Sequence, residues 1–252
     1  MDLFDLSGKV ALVAGASRGL GKGMAKALSS HNAFVILVAR TVKGLKETLN
    51  EIEKEGGKGL ALPGDLSTVK GIKELLDKIF SEVKKVDILV NAVGTQRRKP
   101  AFDVDEEDWD FVINTNLKGV YFLTKEIGKK MVKQKKGKII LIASLTSKIG
   151  IPNISIYGAS KGGIASLTRH FAVEWARDNV QVNAIAPGYF KTELTKDLFS
   201  QKDKVEWIKS RIPIGRIGTP DDLYGPVIFF SSKASDYVTG QILFVDGGWT
   251  AA

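Results

Sequence analysis

Short apolar runs alternate along this chain with longer amphipathic stretches. The first run, Lys9-Val10-Ala11-Leu12-Val13-Ala14, is of strand type, and so is Ala33-Phe-Val-Ile-Leu-Val38-Ala39. Similar runs at residues 59–62, 88–91, 139–143, 181–186 and 242–245 predict five further strands. Between them the 3.6-residue period predicts helices over 20–29, 41–55, 69–83, 106–135, 157–178 and 220–232. In the first of these, Met24, Ala25, Ala27 and Leu28 supply a small apolar face. Strictly alternating strands and helices predict an α/β fold: a Rossmann-type, doubly wound parallel sheet with helices on both faces. Residues 191–217 break the rhythm. They are polar and interrupted, follow a strand's carboxyl end, and are expected to form a lid over bound substrate.

A chain of 252 residues with 44% hydrophobic content can build one substantial core, so 1–252 is expected to be a single domain. No repeat or low-complexity tract is visible. No run approaches eighteen apolar residues, and Met1-Asp-Leu-Phe-Asp5 lacks a charged-then-apolar leader pattern, which predicts a cytoplasmic protein with no membrane partner. The absence of cysteine removes thiol chemistry, and two histidines, His31 and His170, are too few for a histidine-rich metal site, so no metal is expected.

Three sequence features carry chemistry. The first strand runs directly into Gly15-Ala-Ser17-Arg18-Gly19-Leu20-Gly21 and then into a helix. Glycines allow a tight turn, and a helix N-terminus offers free N–H groups to a pyrophosphate; a purely structural turn is the alternative. The second strand ends at Arg40, nineteen residues after Gly21, where a dinucleotide fold meets the adenosine ribose. An acid there would accept from a ribose 2′-hydroxyl, whereas Arg40, with Arg18 nearby, suits a 2′-phosphate. This favours NADP over NAD. Third, Tyr157 and Lys161 stand four apart, on one face of a helix, where a cation would lower the phenol's pKa toward the working range of a general acid/base. Taken alone, such a pair also arises by chance.

Together these motifs resemble the short-chain dehydrogenase/reductase family from about Leu6 to the C-terminus. Its glycine motif matches Gly15, Gly19 and Gly21, its acid after the third strand matches Asp65, and its fourth-strand motif matches Asn91 and Gly94. Its asparagine, serine and Tyr-x-x-x-Lys match Asn116, Ser144, Tyr157 and Lys161, with Ser144 thirteen residues before Tyr157. Asn183, Pro187, Gly188 and Thr192 match the segment that wraps the nicotinamide end. The resemblance implies that Gly15, Ser17, Arg18, Gly19, Leu20, Gly21, Arg40, Asp65, Leu66, Asn91, Ala92, Gly94, Tyr157, Lys161, Pro187, Gly188 and Thr192 bind NADP. It also implies that Tyr157 exchanges the substrate proton, Ser144 positions the reacting oxygen, Lys161 holds the ribose, and Asn116 binds a water linking Lys161 to solvent. Two departures stand out. Ala14 lacks the hydroxyl that in relatives ties down the glycine turn, and Ala92-Val93 replaces one amide.

Substrate class rests on Gln96-Arg97-Arg98-Lys99-Pro100, whose guanidinium groups could fork onto a carboxylate. With Ala186-to-Glu193 and Val245-to-Trp249, this run resembles the branch that interconverts gluconate and 5-ketogluconate; a branch oxidising 2-deoxygluconate at C3 shares the arginine pair. A solvated loop is the plain alternative. The net charge of +9, concentrated between Lys129 and Lys138, raises 3-oxoacyl reductases that use an acidic carrier protein. A nucleotide-sensing scaffold is the non-enzymatic alternative, weakened by intact Ser144, Tyr157 and Lys161. No interleaved aromatics suggest nucleic acid. The tryptophans read as packing residues, with Trp249 at a subunit contact, and the resemblance implies a homotetramer associating through 242–245.

Overall fold

In the computed structural model residues 2–252 are described, apart from the side chains of 194 and 197. Seven strands form one all-parallel sheet in the order β3-β2-β1-β4-β5-β6-β7. They are β1 (Val10–Ala14), β2 (Phe34–Ala39), β3 (Lys58–Pro63), β4 (Ile88–Asn91), β5 (Gly137–Ile142), β6 (Val180–Pro187) and β7 (Ile242–Val245). The helices are α1 (Gly19–Ser30), α2 (Val42–Lys54), α3 (Val69–Glu82), α4 (Glu106–Ile113), α5 (Gly119–Gln134), α6 (Ser155–Trp175), α7 (Lys196–Phe199), α8 (Lys202–Arg211) and α9 (Tyr224–Ser231).

Strands β1 and β2 read as unbroken apolar runs because both faces are covered, and β4, β5 and β6 are buried along their whole length. With a side-chain period of two, Ala11 and Val13 pack toward α1, α2 and α9, while Leu12 and Ala14 pack toward α3, α5 and α6. Chain order reverses between β1 and β4, and the crevice at that switch point, beyond the carboxyl ends of the strands, is where open α/β sheets bind ligands.

The expected helix over 106–135 is divided. Residues Asn114–Lys118 form a widened π-turn between α4 and α5. It runs into Gly119, where a Cβ would sit 2.0 Å from the Leu66 carbonyl oxygen. Such single-turn bulges are frequent at functional sites, and this one carries Asn116. The interrupted segment after β6 contains the two short helices α7 and α8. Among the described residues no helix is long and apolar enough to cross a membrane.

Candidate active site

The glycine turn is fixed by contact as much as by φ. Gly15 adopts φ +85°, and a Cβ on Gly21 would lie 2.2 Å from the Gly15 carbonyl oxygen, so the start of α1 presses onto the end of β1. Ala14 costs less rigidity than its lost hydroxyl suggests. Gly15 and Ala16 N–H both donate to the Val38 carbonyl, Ala92 N–H donates to that of Ala14, and the buried Thr48 hydroxyl donates to that of Ala16. The Arg18 side chain makes no cap bond and the first turn of α1 has no acid, so its N–H groups are available to an anion.

From this turn a cleft of about 250 Å³ runs along the strand ends. It is lined in turn by Gly15, Ser17, Arg18, Gly19, Leu20 and Gly21, then Arg40, Asp65 and Leu66, then Ala92 and Gly94, and finally Tyr157, Lys161 and Thr192. Among the described residues neither Arg18 nor Arg40 has an ion pair within 4.0 Å, and both are exposed. The donor set therefore fits a dinucleotide with an extra phosphate at its ribose. Asp65 is turned inward on its own loop. Its carboxylate accepts from the Ser67 N–H and hydroxyl at 2.9 and 2.8 Å, which hold its pKa below the usual range.

Three expected cofactor residues, Asn91, Pro187 and Gly188, do not line the cleft. Asn91 is buried, with Nδ2 3.4 Å from the Val120 carbonyl and the Thr124 hydroxyl. Pro187 ends β6, and a Cβ on Gly188 would meet the Asp246 Cα at 2.7 Å. Asn183, matched to the nicotinamide segment, instead ties β6 to the approach to β7. It donates to the Val238 carbonyl at 2.8 Å and accepts from Gln241 N–H at 3.0 Å.

At the inner end, α6 brings Tyr157 and Lys161 to the loop that follows β5. Lys161 is 3% exposed, and its ammonium donates to the Ile142 carbonyl at 2.6 Å. Burial pulls its pKa down from 10.5 to about 8. Tyr157 corrects the expectation of an acidified phenol. Its pKa is raised by burial and brought back only in part by the Ser144 hydroxyl. The reason is geometric, since Nζ of Lys161 stands 5.7 Å from the Tyr157 ring centroid and is engaged with the backbone. Ser144 is held in extended backbone by a reciprocal cap: its hydroxyl accepts from Thr146 N–H, while its own N–H donates to the Ser147 hydroxyl. Ser147 in turn donates to the Lys161 carbonyl at 2.9 Å, coupling the serine loop to α6.

Both polar atoms of the Asn116 side chain are engaged. Its Oδ1 accepts from Thr95 N–H and its Nδ2 donates to the Thr95 carbonyl, both at 2.8 Å, with the Ser160 hydroxyl 3.2 Å away. It therefore clamps the strand-4 loop to α6. Thr95 and Ser160 gave no signal in the sequence beyond Ser160 adjoining Lys161.

The two arginines after β4 separate. Arg97 and Lys99 both turn to Asp108 on α4. Arg97 Nε is 3.6 Å from its carboxylate, with the guanidinium 4.5 Å from the Phe111 ring centroid, and Lys99 pairs with the same carboxylate. Arg98 alone points the other way, into a second hollow walled by 149–153 and α8. Trp249 packs at 4.9 Å on Tyr189 and 6.0 Å on Trp207 in that hollow. Trp175 is a packing residue, stacked on Phe171 at 4.4 Å. The lysines at 129–138 gather where α5 ends and β5 begins, at the opposite end of the sheet from Tyr157, and Lys135 and Lys138 are paired with Asp178 and Asp236.

Fold and site define a dinucleotide-dependent oxidoreductase acting on CH–OH groups. A family model described as Enoyl-(Acyl carrier protein) reductase matches residues 15–250. The chain is 45% identical over 248 residues to the 2-dehydro-3-deoxy-D-gluconate 5-dehydrogenase of Bacillus subtilis (strain 168), covering 98% of this chain and 97% of that protein. It is 38% identical to the Gluconate 5-dehydrogenase of Gluconobacter oxydans (strain 621H), covering 100% and 98%. A crystal structure of a gluconate 5-dehydrogenase from Burkholderia cenocepacia J2315 in complex with NADP and tartrate superposes with a TM-score of 0.96 at 36% identity, covering 100% of this chain and 98% of that one. The chain belongs to the short-chain dehydrogenase/reductase family.

Proposed function

We propose that this protein interconverts a secondary alcohol and a ketone at C5 of a six-carbon sugar acid, using NADP. The observation that carries the chemistry is the single cleft running from Arg18 and Arg40 to Tyr157 and Lys161. Gluconate and 2-dehydro-3-deoxygluconate share the C1 carboxylate and the C5 hydroxyl, and relatives named for each cover nearly the whole chain. The higher identity of the second group favours the deoxy acid as the better substrate. Cytoplasmic action by a one-domain homotetramer belongs to the same proposal, supported by β7 at the sheet edge with Leu243 39% exposed.

In this reading the N-terminal turn of α1 holds the pyrophosphate and Arg40 with Arg18 the 2′-phosphate. NADP, when bound, accepts or supplies the hydride at nicotinamide C4. Ser144 donates a hydrogen bond to the substrate oxygen and fixes it beside Tyr157. In reduction, Tyr157 gives its phenolic proton to that oxygen as it gains negative charge; in oxidation, the phenolate takes the hydroxyl proton. With its pKa raised by burial, the phenol keeps its proton at neutral pH, the form that reduction requires. Lys161 exchanges its Ile142 acceptor for the nicotinamide ribose, which brings its charge to bear on the phenol. Residues 191–217 act as the lid, with Thr192 close to Gly19. A carrier-protein substrate is disfavoured because the lysine patch faces the far end of the sheet. The test is to assay both acids, a neutral polyol and a 3-oxoacyl thioester with NADP and NAD. NADP-linked turnover confined to the sugar acids supports the proposal, and preference for the thioester or for NAD refutes it.

A further inference from the structure

The hollow that receives Arg98 is the larger of the two, about 780 Å³, and it continues the catalytic segments. Its 149–153 wall is the chain between Ser144 and Tyr157, and Tyr189, on its floor, lies two residues past the end of β6. Three cations line it, Arg98, Lys204 and Arg211, with no acidic side chain among its described lining residues. Two independent features hold the arginines in place. Lys99 N–H donates to the Asn153 carbonyl at 3.0 Å while Arg97 and Lys99 are drawn to Asp108, which leaves Arg98 directed inward. Arg211, at the last residue of α8, lies 5.4 Å from the Trp207 ring centroid and 5.5 Å from that of Trp249.

We propose that Arg98 and Arg211 form a two-sided carboxylate clamp, in which Arg211 is the specificity-determining residue contributed by the lid. The proposal rests on the sugar-acid reading above and assigns the acid group to a place within it. Cation–π contact with two indoles restrains the guanidinium while leaving its N–H edge free, so less rotamer entropy is lost when a planar carboxylate is forked. Among the described residues neither arginine has an ion pair within 4.0 Å, so a substrate carboxylate would displace no internal partner. Both arginines share the hollow with Tyr189 and counter the rise that burial imposes on its phenol, so both positive charges bear on one side chain. A lid anchored by its own arginine to the anion closes only over an acid, so an anionic substrate would order α8 whereas a neutral polyol would not.

Arg211→Gln is compared with wild type in steady-state kinetics on gluconate and 2-dehydro-3-deoxygluconate. The expected result is a rise in KM of about 10-fold or more, since a charged fork contributes roughly 1.5–3 kcal/mol. kcat should stay within about 3-fold, and KM for NADP should be unchanged. Arg211→Lys, which keeps the charge and loses the fork, should fall between the two. If wild type turned over neither acid, the sugar-acid reading would fail, and binding alone would decide the clamp. For this, Trp207 and Trp249 report directly: tartrate added to the NADP-bound protein should change tryptophan fluorescence saturably, and Arg211→Gln should abolish the response. An unaltered tartrate titration in Arg211→Gln, or an unaltered KM for the acids, would overturn the clamp.

Discussion

Replacing Lys161 with Met should stabilise the cofactor-free protein while ending turnover. The ammonium is 3% exposed, and its pKa falls from 10.5 to about 8, which corresponds to about 3 kcal/mol of burial cost at pH 7. Methionine fills a similar volume without that cost. Against this, the Ile142 carbonyl loses its donor at 2.6 Å, worth about 1 kcal/mol. The balance is a gain of about 2 kcal/mol, or roughly 4–8 °C in Tm for a chain of this size. Urea and thermal unfolding followed by circular dichroism would measure it.

The pH dependence of that gain is the sharper test. With the folded pKa depressed, the native state binds fewer protons than the unfolded chain between about pH 8 and 10.5, so wild-type stability rises with pH through that window. The Met variant has no such contribution, and its advantage should therefore shrink above pH 8 and vanish toward pH 10. Subtracting one protein's curve from the other's cancels all other titrations. A Met variant less stable than wild type at pH 7, or an advantage that stays constant from pH 7 to 10, would refute the reasoning.

Arg40→Ala should lower kcat/KM for NADP by about 10- to 100-fold, the cost of a charged hydrogen-bonded contact, and change that for NAD less than about 3-fold. An equal loss with both cofactors would remove Arg40 from the 2′-phosphate. Because burial raises the phenol's pKa above its ordinary 10.0, alcohol oxidation should keep climbing with pH through the alkaline range as phenolate forms, while ketone reduction should hold level up to about pH 10 and decline only beyond it; parallel profiles in both directions would exclude Tyr157 as the proton carrier. Gly21→Ala places a Cβ 2.2 Å from the Gly15 carbonyl oxygen, so calorimetry should show a loss of about 1–3 kcal/mol together with weaker NADP binding. Unchanged binding would mean that the turn does not shape the pyrophosphate site.

Strands β1 and β2 were legible because fully covered parallel strands leave unbroken apolar runs, and the glycine turn because close approach at Gly21 excludes any larger residue. Tyr157 and Lys161 share a helix, so their proximity follows from local geometry. What depends on the environment was not legible in the same way. The phenol's pKa is governed by burial and by the engagement of Lys161 with Ile142, neither of which spacing encodes. Arg97 and Arg98 are adjacent and chemically identical, yet they diverge because α4 presents Asp108 to one side of their segment. Arg211 gave no signal, since it joins Arg98 only when the segment after β6 folds back across the strand ends.

Initial rates with NADP settle the central claim most directly, measured on gluconate, 2-dehydro-3-deoxygluconate and sorbitol for wild type and Tyr157→Phe. Turnover of the two acids should stand well above that of the polyol and be lost in Tyr157→Phe with NADP affinity nearly intact. Sorbitol turned over as well as the acids, or substantial activity in Tyr157→Phe, would contradict it.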